Sequence, residues 1–439
     1  MKDLFWVVLA VFSFIQLGLV ADYYLIAKRK VGFKPAVYFG LGVGVITILN
    51  MFASMVSIPL DNYAAFAVFF AVCLPFVFDR RLAKDCFSAV ADWVAVIGKN
   101  RLLTGAFLVF VAAIVIYTFG HVPWGDDAYE RWLAKAGAFY LDGRMTSYSL
   151  YLSEPADDPN LWPITVSWLY RFIGEPGEFW SQTLQVAVFV LIILEFARRV
   201  TILKSGIKLF WLIILALTPM LWNYVVLPEY SGNADLFLSF YFILAFGALV
   251  SGEIIYTALF FGLAVLTKND AIPALATLFV LIPLLALNQK DRKPFLAAAA
   301  LGLAIFIFNI IWKMHFDLGN RFLQRDIGEV LAQRPFFAYQ KYALMAYREE
   351  FRNVAHWGAG WLVIFFVFVT KFGTILKNRL IFTAFLIFGV QLVAYMAVWY
   401  LAVPDHATEI ATNIHRLLLG IYPAMLLVCA FVFLKKTSK

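Results

Sequence analysis

Long apolar runs, each broken by a short polar stretch, recur along the whole chain. A run of about 18 residues or more can cross a bilayer as a helix. The pattern predicts spans at about 4–27, 36–58, 62–78, 102–119, 179–197, 209–227, 235–251, 254–267, 271–287, 295–312, 358–376, 380–402 and 416–434. With 13 crossings the two termini fall on opposite sides. The first run is too long, and has the wrong flanks, for a cleaved signal peptide, so it is read as a span. Two polar stretches are long, about 120–178 and 313–357. The first holds short amphipathic pieces such as "YERWLAKAGAFYL", which can lie flat at a membrane interface. Around 251–271 the spans are short, and "LTKND" reads as a re-entrant turn as readily as an exterior loop. No internal repeat of the transporter kind is evident.

Composition agrees with this pattern. The 439 residues are 63% hydrophobic and 15% charged, where a soluble domain has about 45–50% apolar and about 25% charged residues. The expected fold is an all-α polytopic membrane protein. Lys and Arg crowd into "AKRK", "DRRLAK", "GKNR", "ARRVTILKSGIK", "NQKDRK", "KFGTILKNR" and the tail "KKTSK". Short basic loops lie in the cytoplasm, which puts the N-terminus and both long loops outside and the C-terminus inside. The net charge of +8 is then a feature of those loops, and no nucleic-acid partner is expected. Cys73, Cys86 and Cys429 fall in no outer loop, so no disulfide framework is expected.

The chemistry-bearing residues stand where the apolar pattern breaks. Asp126 and Asp127 follow a span end, between Trp124 and Tyr129, at the head of the first long loop. As a helix N-cap such a pair is structural. Beside a membrane-level site, one carboxylate can serve as a general base, and two adjacent acids can recruit a cation. Asp157 and Asp158 precede Pro159, and Trp162-Pro163 opens the next apolar stretch, a common helix start. Glu229 lies in a short loop and Asp235 at a span start; acids deep in a membrane usually mark a site. Lys268 and Asp270 interrupt what is otherwise one long apolar run. Lys268 reads either as a phosphate ligand or as one half of an internally paired turn. Arg416 opens the final span, either snorkelling to the interface or gripping a lipid-linked phosphate with its planar fork. The histidines 121, 315, 356, 406 and 415 show no strong ligand spacing. Nor is there a glycine-rich nucleotide loop, which argues against a nucleotide-sugar donor or an ATP-driven pump. No cofactor is called for, and a divalent cation is left open.

Together these stretches resemble the GT-C superfamily of integral-membrane glycosyltransferases. The branch resembled uses polyprenyl-phosphate sugars, as protein O-mannosyltransferases and the lipid A aminoarabinose transferase do. The resemblance covers about 100–430. It rests on Asp126-Asp127 as the acidic pair of the first outer loop and on "DDPNLWP", similar to D-Y-P-x-L-x-P with Asp158 where Tyr is usual. It continues in "YSGNADLFLSFYFILA". "LTKNDA" resembles L-T-K-N-E-G, with Asp270 for Glu and Ala271 for Gly, and "NIHRLLLGIYPAMLL" carries Arg416 and Pro423. It implies a GT-C-like bundle of about 13 helices whose two outer loops carry short interfacial helices. Residues 101–439 would form the catalytic module and residues 1–100 an extension of about three spans.

The resemblance further implies an inverting transfer, from a polyprenyl-phosphate-linked sugar to an acceptor hydroxyl on the outer face of the plasma (inner) membrane. The acceptor would be a glycan, lipid or protein, with membrane lipids around the enzyme. Asp126 is the implied base, and Asp127 orients it or assists a cation. Arg416 and Lys268 take the donor phosphate. Asp157, Glu229, Asp235 and Asp270 belong to the substrate site, with Trp124, Tyr129 and Trp162 stacking on sugar or prenyl groups. A transporter or flippase of lipid-linked saccharides would share the spans and buried charges but not readily the acidic pair and two large loops on one face. A glycosidase with two carboxylates has no need of so many spans.

Overall fold

The computed structural model describes residues 2–26, 32–99, 101–152, 156–287, 289–319, 336–402 and 406–433. The basic stretches 27–30 and 435–439, and 320–335 of the second long loop, lie outside them. Among the described residues the regular structure is all helical. A helix stands at every expected span. Seven are long and apolar enough to cross a membrane, or nine if each of two bent pairs is one span. The protein is thus an all-α, multi-pass membrane protein. Some of the helices at expected spans fall below that measure by their length. Asp235–Val250 has 16 residues and Ile254–Thr267 has 14. At 1.5 Å per residue they reach about 21–24 Å, short of a hydrocarbon core of about 30 Å.

By its contacts the chain divides into two compact units. The first is Met1–Ala156, Asn160–Glu195 and Asn223–Asn233; the second is Asp157–Pro159, Phe196–Trp222 and Ala234–Lys439.

In the first unit the helices Lys2–Ala21 and Pro35–Met55 pack backbone to backbone. A Cβ on Gly18 would run into the Tyr38 carbonyl, and one on Gly42 into the Phe14 carbonyl. Small residues permit such approach in membranes, where packing replaces the hydrophobic effect. The helix Asn62–Phe78 turns through 95° into the helix that opens with "RRLAK". Asp79 caps the second arm, accepting the N–H of Arg81 at 3.0 Å and of Leu82 at 3.2 Å.

The first long loop is largely helical: Asp127–Leu133 is π-helical, followed by Ala134–Leu141, Ser147–Tyr151 and Leu161–Ile173. Part of its apolar surface packs on protein. Trp132, Leu133, Ala136 and Phe139 are buried, and the 134–141 helix lies against Leu161–Ile173. Residues 161–172 are all buried. Arg171 lies sealed among them and donates to Asn50 Oδ1 at 2.8 Å and to the carbonyls of Phe139 (3.4 Å) and Gly143 (3.5 Å).

The second unit is built around Asp235–Val250. A helix apolar on all sides must be buried on all sides, and residues 235–249 are. It packs against Ile254–Thr267 and His406–Val432, and Ser239 Oγ donates to the Leu419 carbonyl at 2.7 Å. At "LTKND" the helix ends at Thr267, Lys268 is extended, and a 3₁₀ turn at Asn269–Ala271 leads into Ile272–Ala286. Trp357 and Trp361 pack on Tyr422 at 4.9 and 5.3 Å between ring centres, clamping the last helix. Phe365, Phe366 and Val369 remain exposed, as a lipid-facing surface requires.

Candidate active site

In the second unit Asp235 is the centre of a cluster with Lys268, Asp270 and Arg416. This carboxylate is 1% exposed. Its Oδ1 accepts Lys268 Nζ at 2.7 Å, and its Oδ2 accepts Arg416 Nε at 3.1 Å. Arg416 Nη2 also stands 3.1 Å from Oδ2. A buried carboxylate is tolerated when both oxygens are bonded and its charge is matched, and here both conditions hold. Lys268 is placed by the break after Thr267, and Arg416 by the last helix. Asp270 Oδ2 lies 3.3 Å from Lys268 Nζ. Lys268 sits between two helices: burial works against its ammonium, but Asp235 and Asp270 more than offset it and hold its pKa above that of a free lysine.

The polar surround extends from this trio. Asn269 donates to the Asp157 carbonyl at 3.5 Å and accepts Lys313 Nζ at 3.0 Å. Gln391 donates to the Asp270 carbonyl, and Arg416 Nη1 donates to Asn413 Oδ1 at 3.4 Å. The cations are not sealed as Asp235 is: Lys268 is 15% and Arg416 18% exposed at the side chain. Asp235 is thus bonded at both carboxylate oxygens by these two cations.

In the first unit the acidic pair sits on a turn fixed by backbone contacts. The Trp124 N–H donates to the Pro228 carbonyl at 3.2 Å, and a Cβ on Gly125 would collide with the Glu229 carbonyl. Gly232, with φ +90°, faces Ala128. Asp126 is exposed, and its backbone is already helical, φ −51° and ψ −48°, with no side-chain cap bond. An N-cap needs an extended backbone to fold its side chain onto the turn, so the capping reading fails. Asp127, half-buried, lies 3.8 Å from Arg131 one turn on. The turn is π-helical, a rare geometry that recurs at functional sites.

Of the expected site residues, the structure brings Asp235, Lys268, Asp270 and Arg416 into one cluster, with the backbone of Asp157 linked to it through Asn269. In the other unit it groups Trp124, Asp126, Asp127, Tyr129 and the backbone of Glu229. Trp124 and Tyr129 are 63% and 53% exposed. Trp162 is a correction: it is fully buried, and its Nε1–H donates to the Gly232 carbonyl at 2.6 Å. Its ring has no face left for stacking on a sugar. Asn269, Lys313, Gln391 and Gly125 were not singled out in the sequence. Only Gly125 carried a signal, standing directly before the acidic pair. Among the described residues no group of three His, Cys, Asp or Glu could hold a metal ion.

No protein-family model matches the sequence, and no curated protein matches it. Among solved structures the chain is similar to the crystal structure of ArnT from Cupriavidus metallidurans in the apo state. The identity is 14%, over 76% of this chain and 61% of that one, with a TM-score of 0.46. The chain thus spans about three fifths of that neighbour's length.

Proposed function

We propose that the protein is a GT-C-type inverting glycosyltransferase, moving a sugar from a polyprenyl-phosphate-linked donor to an acceptor hydroxyl on the outer face of the membrane. The observation that carries this reading is the sealed Asp235, which holds Lys268 and Arg416 as a pair of accessible cations. Anions with a lipid tail are what two such cations suit: the phosphate stays at membrane level and its charge grows as the sugar departs. Arg416 supplies a planar fork, Lys268 a point charge. Asp126 takes the proton of the acceptor hydroxyl, and its exposed carboxylate, free of any capping duty, is fitted to that role. Asp127 orients it through Arg131 or assists a divalent cation. Trp124 and Tyr129 offer exposed rings to the sugar.

The test is incubation of the purified protein with radiolabelled polyprenyl-phosphate sugars and candidate glycan, lipid and protein acceptors. The expected result is label on the acceptor and free polyprenyl phosphate. Label that stays on the intact donor, while the donor changes membrane leaflet in vesicles, would replace this reading with that of a flippase.

A further inference from the structure

A groove opens on the second unit between the end of the helix Ile272–Ala286 and the start of the helix Arg379–Ala402. Its volume is about 330 Å³, within the range of about 300–1,000 Å³ common to small-molecule sites. One wall runs from Leu281 to Leu287 and the other from Arg379 to Leu386, and Leu376 completes the lining. The helices that frame it belong to the candidate spans Asn269–Ala286, Gly360–Lys377 and Arg379–Ala397. Leu284, Leu287, Phe382 and Leu386 are exposed along it, and by helix rise its walls are about 9–10 Å long. Its polar lining residues are Arg379 and Thr383, one turn apart on the same wall.

Positive charge collects at one end of this groove. Leu287 leads into "NQKDRK", and Leu376 and Arg379 flank Lys377 and Asn378. The two stretches carry Lys290, Arg292, Lys293, Lys377 and Arg379 against a single acid, Asp291. The Asp291 carboxylate accepts the backbone N–H of Lys293 at 3.0 Å. Asn378 Oδ1 accepts the N–H groups of Leu380 at 3.2 Å and Ile381 at 3.3 Å. The first turn of the helix is thus capped from within the chain, and what the groove offers an anion is the exposed Arg379 side chain. A guanidinium has five donors, enough for a phosphate beside any protein partner.

The groove is remote from the cation cluster. Asp270 stands just before the helix Ile272–Ala286, whose last turns line the groove, and its 15 residues rise about 22 Å. Gln391, which donates to the Asp270 carbonyl, lies about 18 Å along its helix from Arg379. Lys268 and Asp270 therefore sit at the opposite end of these two helices.

We propose that this groove binds an anionic glycerophospholipid, with an acyl chain between the two helices and the phosphate on Arg379. Acyl chains are what surround an apolar groove between spans, and basic pockets between spans select the headgroup. A zwitterionic headgroup brings its own cation into a basic surround, whereas an anionic one brings negative charge alone. Thr383 lies about 6 Å along the helix from Arg379, the level of the glycerol esters, whose carbonyls accept a hydroxyl.

The purified full-length protein in detergent is titrated with dioleoylphosphatidylglycerol or dioleoylphosphatidylcholine, and bound lipid is read by native mass spectrometry. Wild type should hold phosphatidylglycerol about tenfold more tightly, the worth of one charge-assisted hydrogen bond. Arg379→Ala should bring the two lipids within about twofold. Leu284→Trp, which fills the groove and keeps every charge, should do the same. Glycerol phosphate, a headgroup without a chain, should displace nothing, and equimolar undecaprenyl phosphate should leave phosphatidylglycerol in place. Equal binding of the two lipids by wild type overturns the proposal. So does a preference that survives either substitution: the first would place the selecting charge elsewhere, the second would leave an arginine without a groove. Either variant decides alone if the other fails to fold. Displacement by glycerol phosphate would assign Arg379 to free phosphates, and displacement by undecaprenyl phosphate would give the groove to the polyprenyl lipid; each overturns the proposal. The donor reading stands in every case but the last, where its lipid would have a second seat, because neither Arg379 nor Leu284 belongs to the cation cluster.

Discussion

Asp126 and Asp235 show how differently two aspartates can be employed in one chain. Asp126 is exposed and caps nothing, so Asp126→Asn should leave expression and thermal unfolding at wild-type levels. Turnover should fall about 10²-fold or more, the scale of a lost general base; a fully active variant ends the assignment. Asp235→Asn should do the reverse. It leaves two cations facing each other across a buried amide, and breaking a buried ion pair costs about 3–5 kcal/mol. Thermal unfolding in detergent should show that loss even without substrate. Arg416→Ala should weaken donor binding, and Arg416→Lys should restore it only in part, since a lysine lacks the fork. Asp235, Lys268 and Arg416 were visible in the sequence as charges interrupting apolar runs. Their union was not: Arg416 meets Asp235 across 181 positions, and spacing says nothing about such a contact. Trp162 was misread because burial is a tertiary property. An aromatic residue at a helix start looks the same whether it faces a ligand or, as here, the carbonyl of Gly232.

At the scale of elements, the long apolar helices were legible from hydropathy alone, and the structure puts a helix at each. The segment 120–178 was less so. Its helices are short and read as interfacial because their apolar faces had no visible partner in the sequence. That partner is Leu161–Ile173, itself held by Arg171, and neither role leaves a periodic signal. Arg171→Lys should therefore destabilise the protein almost as much as Arg171→Ala. A lysine cannot fork to Asn50 and the carbonyls of Phe139 and Gly143, and each charge-assisted hydrogen bond is worth about 1.5–3 kcal/mol. Fluorescence-detected size-exclusion profiles after heating would rank the variants. The acidic turn has its own sensitive point at Gly125. Gly125→Ala places a methyl against the Glu229 carbonyl, so the turn carrying Asp126 must shift. Positioning errors of about 1 Å cost about 10²-fold in rate. Activity should fall while the global unfolding temperature moves little.

For the molecule as a whole, the charge pattern makes a claim that helix count does not. Parity depends on whether helices of 14–16 residues cross fully, and the hydropathy of a sequence cannot decide that. The bias of Lys and Arg toward one set of loops does not depend on parity. It expects residue 142 outside and the tail at residue 435 inside, the tail lying beyond the described residues. Single cysteines at these positions, in a background freed of Cys73, Cys86 and Cys429, should react with membrane-impermeant reagents from opposite faces. Labelling of residue 142 from the cytoplasm alone would reverse the topology and take the outer-face donor with it.

The two counter-ions of Asp235 also have a history in time. Chains are made at about 5–20 residues per second. Lys268 follows Asp235 by 33 positions and Arg416 by 181, so they emerge about 2–7 s and about 9–36 s after it. For most of the synthesis that follows Asp235 the growing chain holds a carboxylate in the bilayer with one of its two ionic partners still unmade. Only entry of the last helix closes the account for Oδ2. A nascent chain stalled before residue 406 carries that defect as a mark, and membrane quality control that surveys exposed intramembrane charge has a reason to tell the unfinished protein from the finished one.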